Sequence, residues 1–448
     1  MKKSNIILLV LFIILAVFLN FIPRVNYSYP LHVDEWVHFQ YANNLSNGAT
    51  LYFGDSYKNN LEEGFHFLLA ELNSIGVPYL FMFRFFPSIL TVLICLGAFV
   101  LTRRLFNERA GVFSVLFIAL LKSSVMILGP VFLVPMAIGM FFIAIGLFLI
   151  KINSRLWILI LASILIIHPP SAMAFLLLIN IEFIILKKGF LKNVFLEIIA
   201  GIIALPLYIN IFLTKGIYSV NSLNFYIISN PLLIPNYIGW ALTLIVLAGI
   251  YFSAIKKNYS IIIQVFSLLF FILIFYYYKT EVFIPYARAL MYLFLLFSAV
   301  FGLGCDSVIS FSKDKRIQKI LIIILIIVVL FFSINSKIES NNYLYHIIEE
   351  KDYDAFLFVK ENTNKNSTGV LDPFMANAFT PIAERKVYSR VLQGKSEVYE
   401  LKNVEIKNFF NNECKNIDFL KEKNISIVYG ECNNSELRKV YEGVYLLE

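Results

Sequence analysis

Charge is what this sequence has least of. Asp, Glu, Lys and Arg make up 15% of its 448 residues, 59% are hydrophobic, and the mean hydropathy is +0.75. That composition cannot cover a water-facing surface with polar groups, which excludes a soluble globular protein. Cysteine occurs four times and histidine five times, and no Cys/His group has zinc-site spacing. The apolar runs lack strict alternation, and an unpaired sheet edge cannot lie in lipid, so a β-barrel is disfavoured. There is no internal repeat or low-complexity tract. No small-residue A-x-A site follows the opening MKKSNIILLVLFIILAVFLNFIP, so its basic start and apolar core read as a retained first helix rather than a cleaved signal. The formal charge of +8 does not point to nucleic acid, because the basic residues sit beside the apolar runs.

What is present is a succession of those runs. Apolar stretches of about 18 residues or more mark spanning helices, and about eleven segments qualify or nearly do, at 5–22, 80–101, 110–128, 131–150, 156–168, 170–186, 193–213, 236–254, 260–278, 284–309 and 317–335. The pair around His168 also reads as one bent hairpin. Basic residues such as Arg103, Arg104, Lys187, Lys188, Lys256 and Lys257 gather on one side of these segments. The other short loops hold few, Arg24, Lys58, Lys215 and Lys279. The positive-inside rule therefore predicts a multi-pass protein of the cell membrane with a cytoplasmic N-terminus and an extracytoplasmic C-terminal segment.

The expected fold is an α-helical polytopic membrane domain over 1–335, including a first external loop at 23–79, followed by an external soluble α/β domain over 336–448. In the latter, YDAFLFVKENT and KNIDFLKEKN read as helices, and TGVLD, ISIVYG and the closing KVYEGVYLLE as strands. Cys414 and Cys432 both fall in this region, where an oxidising exterior permits a bridge but does not require one. Cys95 and Cys305 lie in spans as small apolar side chains. Sequons at Asn26, Asn44, Asn366, Asn424 and Asn433 are most simply composition in an Asn-rich chain.

Four clusters carry chemistry. LHVDEWVHFQ, residues 31–40, joins Asp34, Glu35 and His38 just after the first span. Asp34 could cap a helix beginning at Glu35. A cap leaves Glu35 and His38 unexplained, and ionisable groups beside a membrane core default to a functional hypothesis. Asp34 is the candidate base for an incoming hydroxyl, and His38 falls one helical turn later. The helix also places Trp36, Phe39 and Ala42 near one face, as in a helix lying in the interface. EEGFHFLLAEL, residues 62–72, sets Glu63 and His66 at helical spacing; a solvated interfacial helix explains it equally well. Arg84 lies inside the next apolar run, facing a cavity or snorkelling to the interface. His168 in IIHPPSA closes an apolar run where Pro169 and Pro170 break the helix, and could bind phosphate or cap a turn. In YYYKTEVFIPYARAL, Lys279 and Glu281 could be interfacial anchors, whereas Arg288 lies deeper and can grip phosphate oxygens. All of these fall on one side of the predicted membrane.

VDEWVHFQYA (33–42), with the later GFHFLLAEL (64–72) and GVPYLFMFRFF (76–86), resembles the acidic first-loop region of GT-C fold glycosyltransferases, above all protein O-mannosyltransferases and their prokaryotic relatives. The resemblance covers the first 110 residues in motif and the rest in plan. It implies a sugar donor carried on polyprenyl or dolichyl phosphate, and it implies that Asp34 is the base or a metal ligand, with Glu35 the second acid of the motif. The His-Pro-Pro tripeptide stands at 168–170 rather than in the first loop, and no WWDYG-like motif is present, which argues against en bloc glycan transfer to Asn.

The expected function is transfer of a sugar from such a carrier to a hydroxyl of a glycan, lipid or protein acceptor on the outer face of the membrane. Asp34, Glu35 and His38 are the catalytic candidates. Arg84, His168, Lys279, Arg288, Glu63 and His66 are candidates for the lipid phosphate and substrate. A divalent cation, Mg or Mn, suits the acidic pair but is not required by it. The rival reading, a transporter or flippase for a lipid-linked glycan, needs paired broken helices; Pro135, Pro206 and Glu197 lie inside spans, but no two-fold hydropathy repeat accompanies them.

Overall fold

In the computed structural model, residues 1–46, 62–124, 127–187, 189–215, 231–278, 284–340, 344, 346–391 and 397–447 are described. The chain begins with α1 (Lys3–Phe21), α2 (Val33–Ser46), α3 (Glu63–Ser74), α4 (Tyr79–Leu105) and α5 (Glu108–Leu120). It continues through α6 (Pro135–Lys151), α7 (Trp157–Ile167), α8 (Pro169–Ile185) and α9 (Phe190–Lys215). Then come α10 (Ile234–Ile238), α11 (Trp240–Ile255), α12 (Tyr259–Tyr278), α13 (Tyr286–Ser310) and α14 (Lys315–Glu339). Among the described residues, six of these are long and apolar enough to cross a membrane, or seven if α10 and α11, bent by 113°, form one broken span. The sequence expectation of about eleven spans counts α5, α6, α7 and α8 as well, which are 13, 17, 11 and 17 residues long. A perpendicular crossing needs about 20 residues.

α13 is the axis of this bundle. From Ala289 to Ser307 its residues are buried without interruption, against α5, α11 and α12. Small residues make such packing possible where lipid supplies no hydrophobic drive: a Cβ at Gly302 would lie 2.1 Å from the Ala110 carbonyl oxygen of α5. Buried polar side chains stitch the helices further. Lys337 of α14 donates to Asn20 Oδ1 of α1 at 2.9 Å and to the Leu121 carbonyl at 2.6 Å. Towards the opposite end of α1, Arg109 pairs with Asp306 at 2.6 Å, and Lys151 of α6 pairs with Glu182 of α8 at 2.5 Å.

The segment after α1 is fixed by one buried ion pair. Arg24 Nη2 donates to Glu35 Oε1 at 3.0 Å, and both side chains are fully buried. Arg24 also donates to the Phe83 carbonyl of α4. Glu35 accepts from the amides of Leu31 and Leu133, both at 2.7 Å. One carboxylate thus joins α2 to the end of α1 and to the chain entering α6. Glu35 is a clamp rather than a member of the acidic pair read from the sequence, because its lone pairs are taken from within the fold.

The C-terminal part comprises α15 (Glu350–Asn362), β1 (Thr368–Val370), α16 (Ala376–Ala383), β2 (Lys386–Val387), α17 (Glu397–Asn411), α18 (Ile417–Glu422), β3 (Ile427–Tyr429), β4 (Leu437–Tyr441) and β5 (Val444–Leu447). The sheet order is β2-β1-β3-β5-β4, with β1 parallel to both neighbours and the β4–β5 hairpin antiparallel. KVYEGVYLLE is therefore two strands, turning at Gly443 with φ +70°. Cys414 and Cys432 are bridged. Asn44, in one of the sequons, is buried, which removes it as a surface acceptor.

This part docks on α2. α16 packs against that helix, Arg390 donates to Gln40 Oε1 at 2.8 Å, and the Tyr353 ring lies 5.3 Å from that of Tyr29, just before α2, tilted by 35°. Trp36, Phe39 and Ala42 of α2 are buried in protein, with Phe39 against Tyr79 and Phe83 of α4, not laid against lipid as the sequence pattern indicates.

Removing one partner of a buried ion pair leaves the other charge uncompensated and costs about 3–5 kcal/mol. We expect Glu35→Ala to lower the unfolding midpoint of the detergent-purified protein far more than Asp34→Asn one residue away. Equal midpoints for the two variants would overturn the clamp.

Candidate active site

The polar cluster forms where four separate segments meet. α2 begins at Val33, so Asp34 stands inside the first turn and not at the cap. The capping function falls partly to His32, whose Nδ1 accepts the Asp34 amide proton at 3.0 Å. Asp34 keeps its carboxylate on the partly exposed side, 3.8 Å from His32 Nδ1. One turn on, His38 Nδ1 and His66 Nε2 of α3 share a hydrogen bond at 2.8 Å, both rings buried. His66 therefore turns to α2, while Glu63 occupies the first turn of α3.

Glu62, immediately before α3, provides the centre. Its Oε1 lies 3.2 Å from His168 Nε2 and 3.2 Å from Arg288 Nη1. His168 sits at the break between α7 and α8, where Pro169 starts the next helix without needing an amide donor. Its other nitrogen, Nδ1, is 2.5 Å from Ser171 Oγ, which in turn is 2.6 Å from the Tyr292 hydroxyl. Tyr292 and Arg288 are four residues apart on α13 and so project from one face. Close backbone approach lets α3 reach this place. A Cβ at Gly64 would lie 2.3 Å from the Ile166 carbonyl oxygen of α7, so glycine alone brings Glu62 beside His168.

The electrostatics bind these groups into one site. Burial holds His38 below the ordinary imidazole value; Glu62 and Asp34 pull it up, while Arg288 and His32 push it down. Asp34 and Arg288 thus act on the same ring. Burial, reinforced by His38, holds His66 well below that value. Burial would raise Glu62, yet Arg288 and His168 outweigh it and hold its carboxyl well below the usual range. At neutral pH the site therefore contains an ionised Glu62 facing Arg288, with a neutral His38–His66 pair beside it.

Of the residues selected from sequence, Asp34, His38, His66, His168 and Arg288 come together here. Arg84 does not join them: its Nη1 donates to Ser28 Oγ at 2.8 Å and its guanidinium lies 5.5 Å from the Phe85 ring centre. Glu35 is withdrawn into its pair with Arg24. Lys279 falls outside the described residues. Glu62, Ser171 and Tyr292 are members that the sequence reading did not select. The signal for Glu62 was its place two residues before Gly64; for Ser171 it was the helix start after the proline pair. As for a divalent cation, Asp34 and Glu35 point to different partners. No group of three or more His, Cys, Asp or Glu able to hold a metal ion occurs among the described residues. Among the described residues, Asp34 and Glu35 do not form a shared cation site.

Because both histidines are depressed in the fold, the unfolded chain binds more protons below about pH 6.5. The stability they contribute is complete above that pH and is lost as pH falls towards their folded values. We expect the unfolding midpoint to drop between pH 6.5 and 5 in the wild type. His38→Gln/His66→Gln should flatten that slope, and an unchanged slope in the double variant would remove the buried neutral pair.

No protein-family model matches the chain, and no curated protein matches it by sequence. Solved structures do match its fold. The Archaeoglobus fulgidus oligosaccharyltransferase, tethered with an acceptor peptide, aligns with TM-score 0.61 at 13% identity, over 95% of this chain and 69% of that one. The same archaeal enzyme, AglB, in complex with an inhibitory peptide and a dolichol-phosphate, aligns with TM-score 0.60 at 13% identity over the same shares. ArnT from Cupriavidus metallidurans in the apo state aligns with TM-score 0.62 at 9% identity, over 95% of this chain and 96% of that one. The chain therefore has a GT-C-like fold, a helical membrane bundle carrying a small C-terminal α/β unit.

Proposed function

We propose that the protein is a glycosyltransferase that moves a sugar from a polyprenyl- or dolichyl-phosphate carrier to an acceptor hydroxyl. The observation that carries this reading is Glu62 Oε1, an anionic oxygen 3.2 Å from both Arg288 and His168, with Asp34 one helical turn before His38, which bonds His66 of the helix that follows Glu62. A position with cationic and imidazole donors is suited to a second anionic oxygen, that of a phosphate. The fold relationship to AglB, solved with a dolichol-phosphate, supports the same donor class.

In this reading Asp34 takes the proton of the acceptor hydroxyl as its oxygen bonds to the anomeric carbon. The bond from that carbon to the phosphate oxygen breaks, and the carrier leaves with the electron pair as a lipid phosphate. Arg288 and His168 stabilise the charge that develops on the departing oxygen. Ser171 and Tyr292 hold the His168 ring from its Nδ1 side, so that Nε2 faces the phosphate. Glu62 occupies these donors when no phosphate does, and the carrier displaces it. His38 and His66 keep the wall of the site uncharged.

The orientation that fits the basic loops puts this site and the C-terminal unit outside the cytoplasm, in an integral membrane protein. The acceptor is a glycan, lipid or protein on that side. The transport alternative gains one broken helix, α10–α11, but the carboxylate–cation site has no task in it.

The purified protein in lipid nanodiscs, supplied with a panel of polyprenyl-phosphate sugars, tests the assignment. Asp34→Asn should lower kcat by about 10²–10⁴-fold, the usual worth of a general base, with little change in donor KM. Arg288→Gln should lower both donor affinity and kcat. Full turnover by Asp34→Asn would remove the base, and donor-independent uptake into sealed vesicles would favour transport.

A further inference from the structure

A second cleft lies in the C-terminal unit, apart from the carboxylate–cation site. The chain leaves β1 through α16 to reach β2 on one side, while the parallel β3 lies on the other. The carboxyl ends of β1 and β3 therefore flank a topological switch point, where open parallel sheets leave a crevice for ligands. A cavity of about 520 Å³ opens there, between the loop after β1 and the side of α17. A second hollow of about 740 Å³ shares Met375, Phe410, Tyr429 and Gly430 with it, so the two form one elongated cleft.

The floor is largely apolar, with Met375, Ile406, Phe410 and Tyr429 among its lining. Phe410 reaches across it because residue 430 is glycine: a Cβ there would lie 2.7 Å from the ring. Phe374, 41% exposed, stands at the rim. The polar groups have fixed directions. Asp372 spends Oδ1 on the amides of Phe374 and Met375, at 2.8 and 3.2 Å, which leaves its second oxygen as an acceptor. Asn403 accepts from Ser389 through Oδ1 at 2.8 Å, which presents its NH₂ as a donor. Lys407 follows one turn later on the same helix face. Aromatic faces beside a carboxylate, an amide donor and an ammonium complement a hydroxylated ring, with its C–H face on the aromatics and its hydroxyls on the polar groups. An extended peptide would instead add to a sheet edge, and this cleft lies at strand ends.

We propose that the cleft binds a saccharide chain; on the transferase reading, this is the glycan portion of the acceptor. Its position suits that task. Val391 lines the cleft, and its neighbour Arg390 bonds Gln40 of the helix that carries Asp34 and His38.

Saturation-transfer NMR on the whole chain in nanodiscs, with maltotriose, chitotriose and a uronic-acid trisaccharide as probes and a Ser/Thr-containing octapeptide beside them, tests the proposal. Ring protons of at least one saccharide should receive saturation. Phe374→Ala/Asn403→Ala should weaken its Kd by about tenfold or more, a loss of 1.4 kcal/mol per factor of ten. Lys407→Glu, on an exposed position where misfolding is not at issue, should weaken it in the same direction. Asp34→Asn should bind as the wild type does, because the cleft is apart from the carboxylate–cation site. A wild type that binds saccharide but shows no sugar transfer counts against the transferase reading alone, and one that transfers sugar but binds no saccharide counts against the cleft alone. Saturation of none of the saccharides, of the peptide alone, or undiminished saturation in the substituted proteins overturns the proposal.

Discussion

The Arg24–Glu35 pair is the contact on which the candidate site depends. A charge pair removed from water is tolerated only when each partner is also hydrogen-bonded. Here the Phe83 carbonyl and the Leu31 and Leu133 amides meet that condition. The same bonds determine where α2 begins. With Glu35 turned inward, Asp34, one residue earlier and about 100° around the helix, is turned towards the site. Two adjacent acids thus divide into one that holds the fold and one that faces the candidate site. The second position would have no defined direction without the first.

A comparable division runs through the bundle. Towards one end the ion pairs Arg109–Asp306 and Lys151–Glu182 lock helix to helix. At the other, Glu62 is shared by Arg288 and His168 at 3.2 Å each, longer than the locking contacts. Close pairs in low dielectric are expensive to separate. Looser, shared ones are easier to exchange for another anion, which is the property a substrate site requires.

Much of the architecture was legible in the sequence, for reasons that are local. Hydropathy identifies apolar helices from composition alone. In the C-terminal unit YDAFLFVKENT covers α15 from Tyr353 to its cap Thr363, KNIDFLKEKN contains α18, and TGVLD and ISIVYG contain β1 and β3. Asp34, His168 and Arg288 stood out because each is polar where apolar neighbours make it costly. What stayed hidden depends on contacts between distant segments. Glu62 rather than Glu63 faces His168, because Gly64 fixes the approach of α3 to α7, and helical spacing with His66 favours the wrong acid. Arg24 resembles an ordinary interfacial cation until Glu35 is placed beside it. Tyr292 is one aromatic among many until Ser171 is seen to reach it. KVYEGVYLLE reads as one closing strand, and only the turn at Gly443 divides it.

α2 belongs to both halves of the molecule at once: one face carries Asp34 and His38, and another receives Gln40's bond from Arg390 and Asn43's contact with the Pro381 carbonyl. The chain therefore has no clean seam for recombination. A C-terminal unit transplanted from a relative would arrive with a surface shaped for another α2, and the mismatch would be felt at Asp34 and His38. Changes in that unit and in the first loop should travel together through evolution, as a matched pair rather than as interchangeable modules.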